Sequence, residues 1–363
     1  MGENFGGLNL KKITFFIYDM YKMGGTERVL SIIANKLVEK YDVEIVSIYK
    51  YSEKPAFYLN PKIKIINILE KELTPYKLYY FYLAYKIRKA LKNYKTDIFI
   101  CAGMRQIDVS IFMRKKAKYI AWEHSNSGAP NPGVAFNTGR KLAAKYADNI
   151  VVLTKKDMQL NKEMFGSEGK ITHIYNPISV NISNTSYDID SKKIVSVGRL
   201  EYEKGYDMLV EVASKVFAKH PDWEWHIYGA GNEKENLEKL ILENQIQNNL
   251  KLVGTTNTMQ EKYKEYAMSV MTSRHEGFPM VNIEAHSAKL PIVSFNCNCG
   301  PDEIIQDGVN GFLIDCFDID KMADKINYLI ENPKLRKEMS DNTMLDKEKL
   351  DIENIIKEWE KIL

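Results

Sequence analysis

Two glutamates, Glu276 and Glu284, stand in the stretch SRHEGFPMVNIEAHSAKLPIV, Ser273 to Val293, which reads as a loop, a helix and a strand. A carboxylate on the inner face of a small, apolar helix costs several kcal/mol or takes up a proton unless something pairs with it. Either the two join a salt-bridge network or they wait for a ligand. Glu284 comes one turn into the helix, on the face of Val281, Ala285 and Ala288. There it can grip a vicinal diol, because two hydroxyls donate two hydrogen bonds. Glu276, in the loop, is placed to hold further hydroxyls. Gly277, Phe278 and Pro279 turn the chain, and Pro at a helix start leaves its missing N–H harmless. The next N–H groups, from Met280 and Val281, face outward and favour an anion. The plain alternative is a structural ion pair with a cation of the same domain.

Three further stretches carry chemistry, each with a plain alternative. In VGRLEYEKGYD (Val197–Asp207), Gly198 allows a tight exit from a strand, and Arg199 and Lys204 follow near a helix start. A planar fork and a point charge together suit a diphosphate; a solvated loop with two surface cations is the alternative. In MGGTERV (Met23–Val29), Gly24 and Gly25 permit close backbone approach to a ligand, or simply turn the chain. The pattern is not G-x-G-x-x-G. In WEHSNSG (Trp122–Gly128), His124 can hydrogen-bond a sugar hydroxyl or share charge with an intermediate, although a lone His is usually structural. Asp188-Ile189-Asp190 and Asp318-Ile319-Asp320 spell D-x-D, which can hold a metal on a diphosphate; they read as turn and helix-cap residues. Cys297 and Cys299 form a C-x-C without a second Cys/His pair, so they read as inert thiols rather than zinc ligands.

These stretches need elements to position them. The chain has 363 residues, enough for about two domains. Its composition is that of a soluble globular protein, and no run approaches the roughly 18 apolar residues of a membrane span. Four cysteines without an even framework suggest reduced thiols in a cytoplasmic protein. Met1–Leu10 reads as a loose leader, with no signal-peptide pattern. Net charge is +3, but Met1–Tyr187 carries about +13 and Asp188–Leu363 about −10. A basic half suits an anionic membrane or polymer.

Short β-branched and aromatic runs alternate with amphipathic stretches. Strands are expected at Ile13–Tyr18, Val43–Ile48, Ile63–Ile68, Asp97–Cys101, Tyr119–Trp122 and Asn149–Leu153, with helices such as Glu27–Lys40 and Tyr76–Lys95 between them. The pattern restarts with Lys193–Val197, Glu224–Tyr228, Leu250–Val253, Ser269–Thr272 and Ile292–Phe295. This is an α/β pattern of two doubly wound domains, joined by a linker near Asn176–Asp190. A last helix spans about Leu345–Leu363. Open α/β sheets bind ligands beyond the carboxyl ends of their strands, and the motifs fall there.

Together the motifs resemble the retaining GT-B glycosyltransferases of glycosyltransferase family 4. The marks are GGTER, GRLEYEKG, HEGFPMVNIEA with its two glutamates, and PIVSFNCNCGPDEIIQDGVNGFLI with Gly300, Glu303, Gly308 and Gly311 in place. The resemblance implies two Rossmann-like domains facing a central cleft. Residues 1–178 would form the acceptor side, 179–345 the nucleotide-sugar side, and 346–363 a C-terminal helix crossing back to the N-terminal domain. It implies that Arg199 and Lys204 bind the donor diphosphate, Glu276 the donor sugar and Glu284 the ribose. The backbone at Gly277–Val281 would hold the distal phosphate and sugar, and Gly24 and Gly25 would line the cleft. His124 would lie beside the transferred sugar, and the loop from Gly254 and Thr255 to Asn257 would border the nucleobase. No catalytic metal and no cofactor are implied. The two glutamates would then be unpaired because the nucleotide sugar pairs with them. One departure is Cys299-Gly300, where the family often has two glycines.

The expected activity is transfer of a hexose or N-acetylhexosamine from a nucleotide sugar, with UDP preferred, to a lipid-linked or polysaccharide acceptor in bacterial-type surface glycan assembly. The helix Tyr76–Lys95 mixes tyrosines with Lys77, Lys86, Arg88, Lys89, Lys92 and Lys95, and Arg114, Lys115, Lys116 and Lys118 add a second basic run. Aromatics and cations on one helix suit an anionic membrane surface, hence a peripheral place on the inner face of the plasma membrane. The alternative packs the tyrosines on the sheet and leaves the lysines solvated. Nucleic acid is not an expected partner. Rival readings are a GT-B sugar-nucleotide epimerase, a glucan synthase and a non-catalytic GT-B subunit that binds glycan for a partner enzyme. A nicotinamide-dependent dehydrogenase lacks its glycine fingerprint.

Overall fold

The computed structural model describes residues 10–70, 77–129, 133–166, 169–178, 187–345 and 347–363. Most of the expected leader, Tyr76, and 179–186 of the expected linker lie outside them. The chain divides into two compact units, Met1–Pro177 with Ile352–Leu363, and Ile178–Asp351.

In the first unit the strands are β1 (Lys12–Asp19), β2 (Asp42–Tyr49), β3 (Lys64–Leu69), β4 (Ile98–Ala102), β5 (Lys118–Trp122), β6 (Asn149–Val152) and β7 (Ile171–His173). They pair in parallel in the order β3-β2-β1-β4-β5-β6-β7. In the second they are β8 (Lys193–Val197), β9 (Glu224–Tyr228), β10 (Leu250–Gly254), β11 (Met268–Met271), β12 (Ile292–Phe295) and β13 (Gly311–Ile314), parallel in the order β10-β9-β8-β11-β12-β13. Central strands such as β4 and β12 are buried along their whole length, as both-faces-covered parallel strands must be. This is the GT-B architecture of two Rossmann-like units. Strand order reverses between β1 and β4 and again between β8 and β11, and such switch points open crevices at the strands' carboxyl ends.

β7 was not expected from the sequence; β13 was expected only as a strand without bounds before Asp318. The helix expected at Glu27–Lys40 spans Gly25–Leu37, and the basic one spans Lys77–Leu91. The last helix begins at Ile352, not at 346; Lys347–Leu350 is a 3-10 turn that belongs to the second unit.

That helix joins the first unit through Ile355, Ile356 and Trp359, all buried. Trp359 meets Trp122 edge-on, ring centroids 4.9 Å apart. Lys36 and Lys40 pair with Glu353 and Glu360, each at 2.7 Å. These are solvent-screened contacts, whereas burying one such aromatic contributes about 2–3 kcal/mol, so the apolar stripe holds the helix. At the far end of the linker, Arg336 donates to Tyr187 Oη and to the Ile189 carbonyl, each at 2.8 Å, pinning that segment to the second unit.

Candidate functional site

The switch point of the second sheet gathers several of the expected residues. Gly198, just past β8, donates to the Tyr228 carbonyl at 2.9 Å. A Cβ on Gly229 would lie 1.8 Å from the Gly198 carbonyl oxygen, and one on Gly231 2.2 Å from that of Leu200, so only glycines allow this approach. Gly229 in turn donates to the Gly254 carbonyl at 2.9 Å, bringing the expected nucleobase loop into the same crevice. Thr255, next in that loop, is exposed. A Cβ on Gly198 would meet the Tyr206 hydroxyl at 2.8 Å, and the Lys204 stem lies beside it at 3.5 Å. Burial, then the charge of Glu276, pushes the pKa of that phenol up and keeps it protonated. Arg199 is exposed and makes no side-chain ion pair among the described residues.

Lys204 ends a 3-10 turn, followed by Gly205 at φ 64°. A side chain on Gly205 would clash with the Thr272 carbonyl oxygen at 2.2 Å. Lys204 Nζ donates to Glu276 Oε1 at 2.6 Å, and Ser273 Oγ donates to the same oxygen at 2.6 Å. The side chains of Lys204 and Glu276 are 19% and 10% exposed. This corrects the expectation of two unpaired glutamates: Glu276 has the same-domain cation of the plain alternative, and Glu284, buried in the helix Met280–Ser287, is not without a partner.

Arg274 locks the two loops together. Its N–H donates to the Glu203 carbonyl at 2.8 Å, and its guanidinium donates to the Tyr202 carbonyl at 2.7 Å and grips Asp207 through both oxygens. Burial alone would raise the Asp207 carboxyl, but the Arg274 bonds outweigh it and hold it below the usual range. Pro279 gives the helix Met280–Ser287 no side-chain cap, so its first turn retains donors suited to an anion. Gly300, at φ 101°, packs where a Cβ would sit 2.6 Å from Pro279 Cδ. The glycine requirement falls there and not on Cys299, whose φ is not positive. Arg274, Ser273, Gly229 and Gly231 were missed by the sequence reading. G-A-G after a strand and an Arg beside the glutamate loop were the available signals.

Gly24, Gly25 and His124 belong to the first unit, at its own switch point. Gly24 leaves room for the Glu27 carboxylate, and Gly25 opens on free space. Beside them lies a cavity of about 230 Å³ lined by Glu27, Gln106, Glu123, His124, Ser125 and Phe136, among others. His124 packs on Trp122 with ring centroids 4.2 Å apart, and its Nε2 is buried without a partner. Burial pushes its pKa down to about 3, so the ring is a neutral imidazole at physiological pH.

A buried network supports this loop. Arg140 Nε donates to Glu123 Oε2 at 2.7 Å, both side chains being 1% exposed. Arg140 Nη2 also reaches Ser125 Oγ and the Asn126 carbonyl, each at 3.1 Å. Ser127 N–H donates to Asp157 Oδ1 at 2.7 Å. Burial, then the charge of Glu123, pushes the Asp157 carboxyl up to about 7. Nothing in the sequence marked Arg140, Asp157 or Gln106.

The remaining expectations fall outside these crevices. Asp318 Oδ1 caps a helix by accepting from Lys321 N–H at 2.9 Å, and Asp188 Oδ1 accepts from Asp190 N–H at 3.0 Å in a turn. Cys297 and Cys299 are buried and in no disulfide among the described residues; burial pushes the pKa of the Cys297 thiol up. On the helix Lys77–Leu91, Ile87 and Leu91 face the core, while Tyr80, Phe81, Tyr82 and Tyr85 are exposed, against the packing alternative for those tyrosines. Lys116 Nζ caps its C-terminus on the Leu91 carbonyl at 3.1 Å. No helix among the described residues is long and apolar enough to cross a membrane.

Comparison with known proteins follows the same division. Residues 23–181 match the family model described as Glycosyltransferase Family 4, and residues 182–345 that described as Glycosyl transferases group 1. An uncharacterized glycosyltransferase of Haemophilus influenzae is 35% identical over 98% of this chain and 100% of its own. The amylovoran biosynthesis glycosyltransferase AmsD of Erwinia amylovora is 28% identical over 97% of this chain and 99% of its own. The solved structure of an S. aureus TarM variant in complex with fondaparinux, alpha-GlcNAc-glycerol and UDP superposes with a TM-score of 0.84 at 19% identity, over 97% of this chain and 99% of that one.

Proposed function

Because this chain belongs to the glycosyltransferases of family 4 and group 1, we propose that it moves a hexose or N-acetylhexosamine from a UDP-sugar, with retention of configuration, to a lipid-linked or polysaccharide acceptor in bacterial-type surface glycan assembly. One observation carries this reading: Lys204 pairs with Glu276 where the second sheet reverses its strand order, and Arg199 stands in the loop that leaves β8 at the same point. A crevice with two cations, an uncapped helix start and a carboxylate at its wall matches a nucleotide sugar part by part. The UDP bound to TarM supports the nucleotide, and AmsD's name supports a polysaccharide route.

In this reading Arg199, Lys204 and the N–H groups of Gly277, Phe278, Met280 and Val281 take the charge that develops on the departing diphosphate. Glu276 holds the donor sugar and Glu284 the ribose diol, with Gly198, Gly254 and Thr255 shaping the nucleotide's bed. Gly24 and Gly25 give the ligand close access to the backbone of the first unit, and neutral His124 hydrogen-bonds a sugar hydroxyl. The bond from the anomeric carbon to the diphosphate breaks. The acceptor oxygen bonds to that carbon on the same face, and its proton passes to the departing phosphate. Two side-chain cations and the helix start carry the leaving group's charge, so the reaction is assigned no metal. The exposed aromatics of the helix Lys77–Leu91, with Arg88 and Lys89, support peripheral docking on an anionic membrane from the cytoplasmic side.

The test is nucleotide release from a panel of sugar nucleotides, without acceptor and then with bacterial lipid extract. Slow release from one donor, accelerated by the extract, is the expected result. Intact protein that releases nucleotide from none of them would overturn the reading.

A further inference from the structure

Three of the chain's four cysteines, Cys297, Cys299 and Cys316, stand together beside the Lys204–Glu276 pair, and the sheet register brings two of them level. β12 and β13 pair in parallel with Phe295 opposite Ile314. The ladder runs one residue further, where Asn296 N–H donates to the Ile314 carbonyl at 2.7 Å. Cys297 is two residues past Phe295 and Cys316 two past Ile314, so each extends its strand on the face of those partners. The two exits are still together beyond them, with the rings of Phe295 and Phe317 6.5 Å apart. Neighbouring strands lie about 4.8 Å apart, and a disulfide needs a Cα separation of roughly 4.4–6.8 Å. The register therefore sets Cys297 and Cys316 at a distance that a disulfide can span.

The two thiols differ in access. Cys297 is fully buried, and burial, then the charges of Glu276 and Cys316, push its pKa up against the opposing charge of Lys204. Cys316 is only partly buried, packed on the edge of the second core. It precedes Phe317, an exposed residue at φ 72°. A bulky side chain in the left-handed region is strained and persists only where its surroundings fix the turn. Cys316 is thus a sulfur that solvent reaches, on a turn held in place. The thiols form no metal-holding group among the described residues, which leaves sulfur chemistry.

The loop that carries Cys297 also seats the donor turn. A Cβ on Gly300, three residues on, would meet Pro279 Cδ at 2.6 Å and the Gly277 carbonyl oxygen at 3.2 Å. A covalent link from Cys297 to Cys316 pulls on this loop, and through it on the turn that presents the N–H groups of Met280 and Val281.

We infer that Cys297 and Cys316 are a redox pair, converted by a hydroperoxide to a disulfide that displaces the donor turn and slows transfer. The Cys316 thiolate attacks the peroxide, the O–O bond breaks, and the sulfur becomes a sulfenic acid while the proton it shed leaves with the departing oxygen as water. The Cys297 sulfur then displaces the sulfenic hydroxyl, which departs with the Cys297 proton as a second water. Two electrons pass from the thiols to the peroxide. The effect on transfer rests on the donor assignment, whereas the disulfide itself does not.

The test treats the intact chain with hydrogen peroxide, alkylates the remaining thiols and maps the links by mass spectrometry. Cleavage at Asp302, Asp307 and Asp315 parts Cys316 from the other two cysteines, and Cys299→Ser, treated alike, tells which of those two is linked. A Cys297–Cys316 link is expected in both proteins, and dithiothreitol should reverse it. Oxidation should slow nucleotide release from a UDP-sugar on the order of tenfold or more, as a small misplacement at a reacting centre does. Dithiothreitol should restore the rate, and Cys316→Ser should be insensitive to peroxide. Four results would overturn the inference: both thiols still alkylated after peroxide, a link through Cys299 in the wild type, Cys316 carried to sulfinic acid without a link, or linked protein that releases nucleotide at the reduced protein's rate. Reduced wild-type protein that releases no nucleotide sinks the donor assignment instead, and a reversible Cys297–Cys316 link would still uphold the pair.

Discussion

The Lys204 ammonium and the Glu276 carboxylate lie 2.6 Å apart, although the chain separates them by 72 residues. Each is assigned to a different part of the donor, so ligand binding must divide a contact the protein already makes. The pair holds both groups at the crevice and keeps a nearly buried carboxylate from standing alone.

Removal of either partner should therefore stop transfer and leave the fold in place. For Lys204→Ala and Glu276→Ala we expect nucleotide release to fall on the order of 10²- to 10³-fold, as when one preorganised electrostatic contact is deleted. Circular dichroism should match the wild type. Near-normal turnover in either variant would remove that residue from the donor site.

Arg140→Met should be a stability variant. It strands Glu123 at 1% exposure without its cation, which costs about 3–5 kcal/mol. Urea denaturation measures the loss. The double variant Arg140→Met with Glu123→Gln should regain much of it, since neither charge then remains. A single variant as stable as the wild type would mean that water reaches the pair.

The Asp157 carboxyl, ordinarily near 3.8, is raised to about 7 in the folded chain. The folded state then binds the extra proton between those two values. Its contribution to stability is complete below 3.8 and is lost as pH rises to 7, by about 1.4 kcal/mol per pH unit at most. Asp157→Asn, a mimic of the protonated form, should be at least as stable as the wild type at pH 8 and should flatten the pH dependence of melting between 5 and 8. An Asn variant that melts well below the wild type at pH 8 would show that the native carboxylate is charged and well held.

Chelation separates the cation-and-helix assignment from a metal-assisted one. Transfer should proceed unchanged in EDTA. Activity lost in EDTA and regained with manganese would return attention to the D-x-D sequences, despite the cap and turn bonds of Asp318 and Asp188.

The combination Phe81→Ser, Tyr85→Ser, Arg88→Glu and Lys89→Glu should weaken sedimentation with anionic liposomes on the order of tenfold or more, and leave melting near the wild type because these side chains are exposed. Equal sedimentation would leave the exposed rings without a membrane role.

The elements and the motif-bearing loops were legible because their signals are local. A run such as ITFFIY betrays a strand by its own composition, and glycines and charges just after a strand mark its exit. β7 escaped because its three half-buried residues carry too little periodicity. Arg140 escaped for a different reason. On a helix surface an arginine reads as solvated, and only the fold reveals that Glu123, seventeen residues earlier, is buried against it. Gln106 is likewise ordinary until the cavity around it exists, and the Arg274–Asp207 clasp closes over 67 residues that no spacing rule spans.

The last helix has a consequence for the order in which the chain matures. Trp359 covers Trp122, the residue two before His124, yet a ribosome makes it after the entire second unit. During synthesis the first sheet must wait with that aromatic uncovered while the second unit has every residue it needs to close. A gene fragment that ends at Pro177 would leave the sheet in that waiting state. Proteolysis near Asp351 would reopen it in the mature protein and expose the floor beneath the His124 loop without touching a residue that meets substrate.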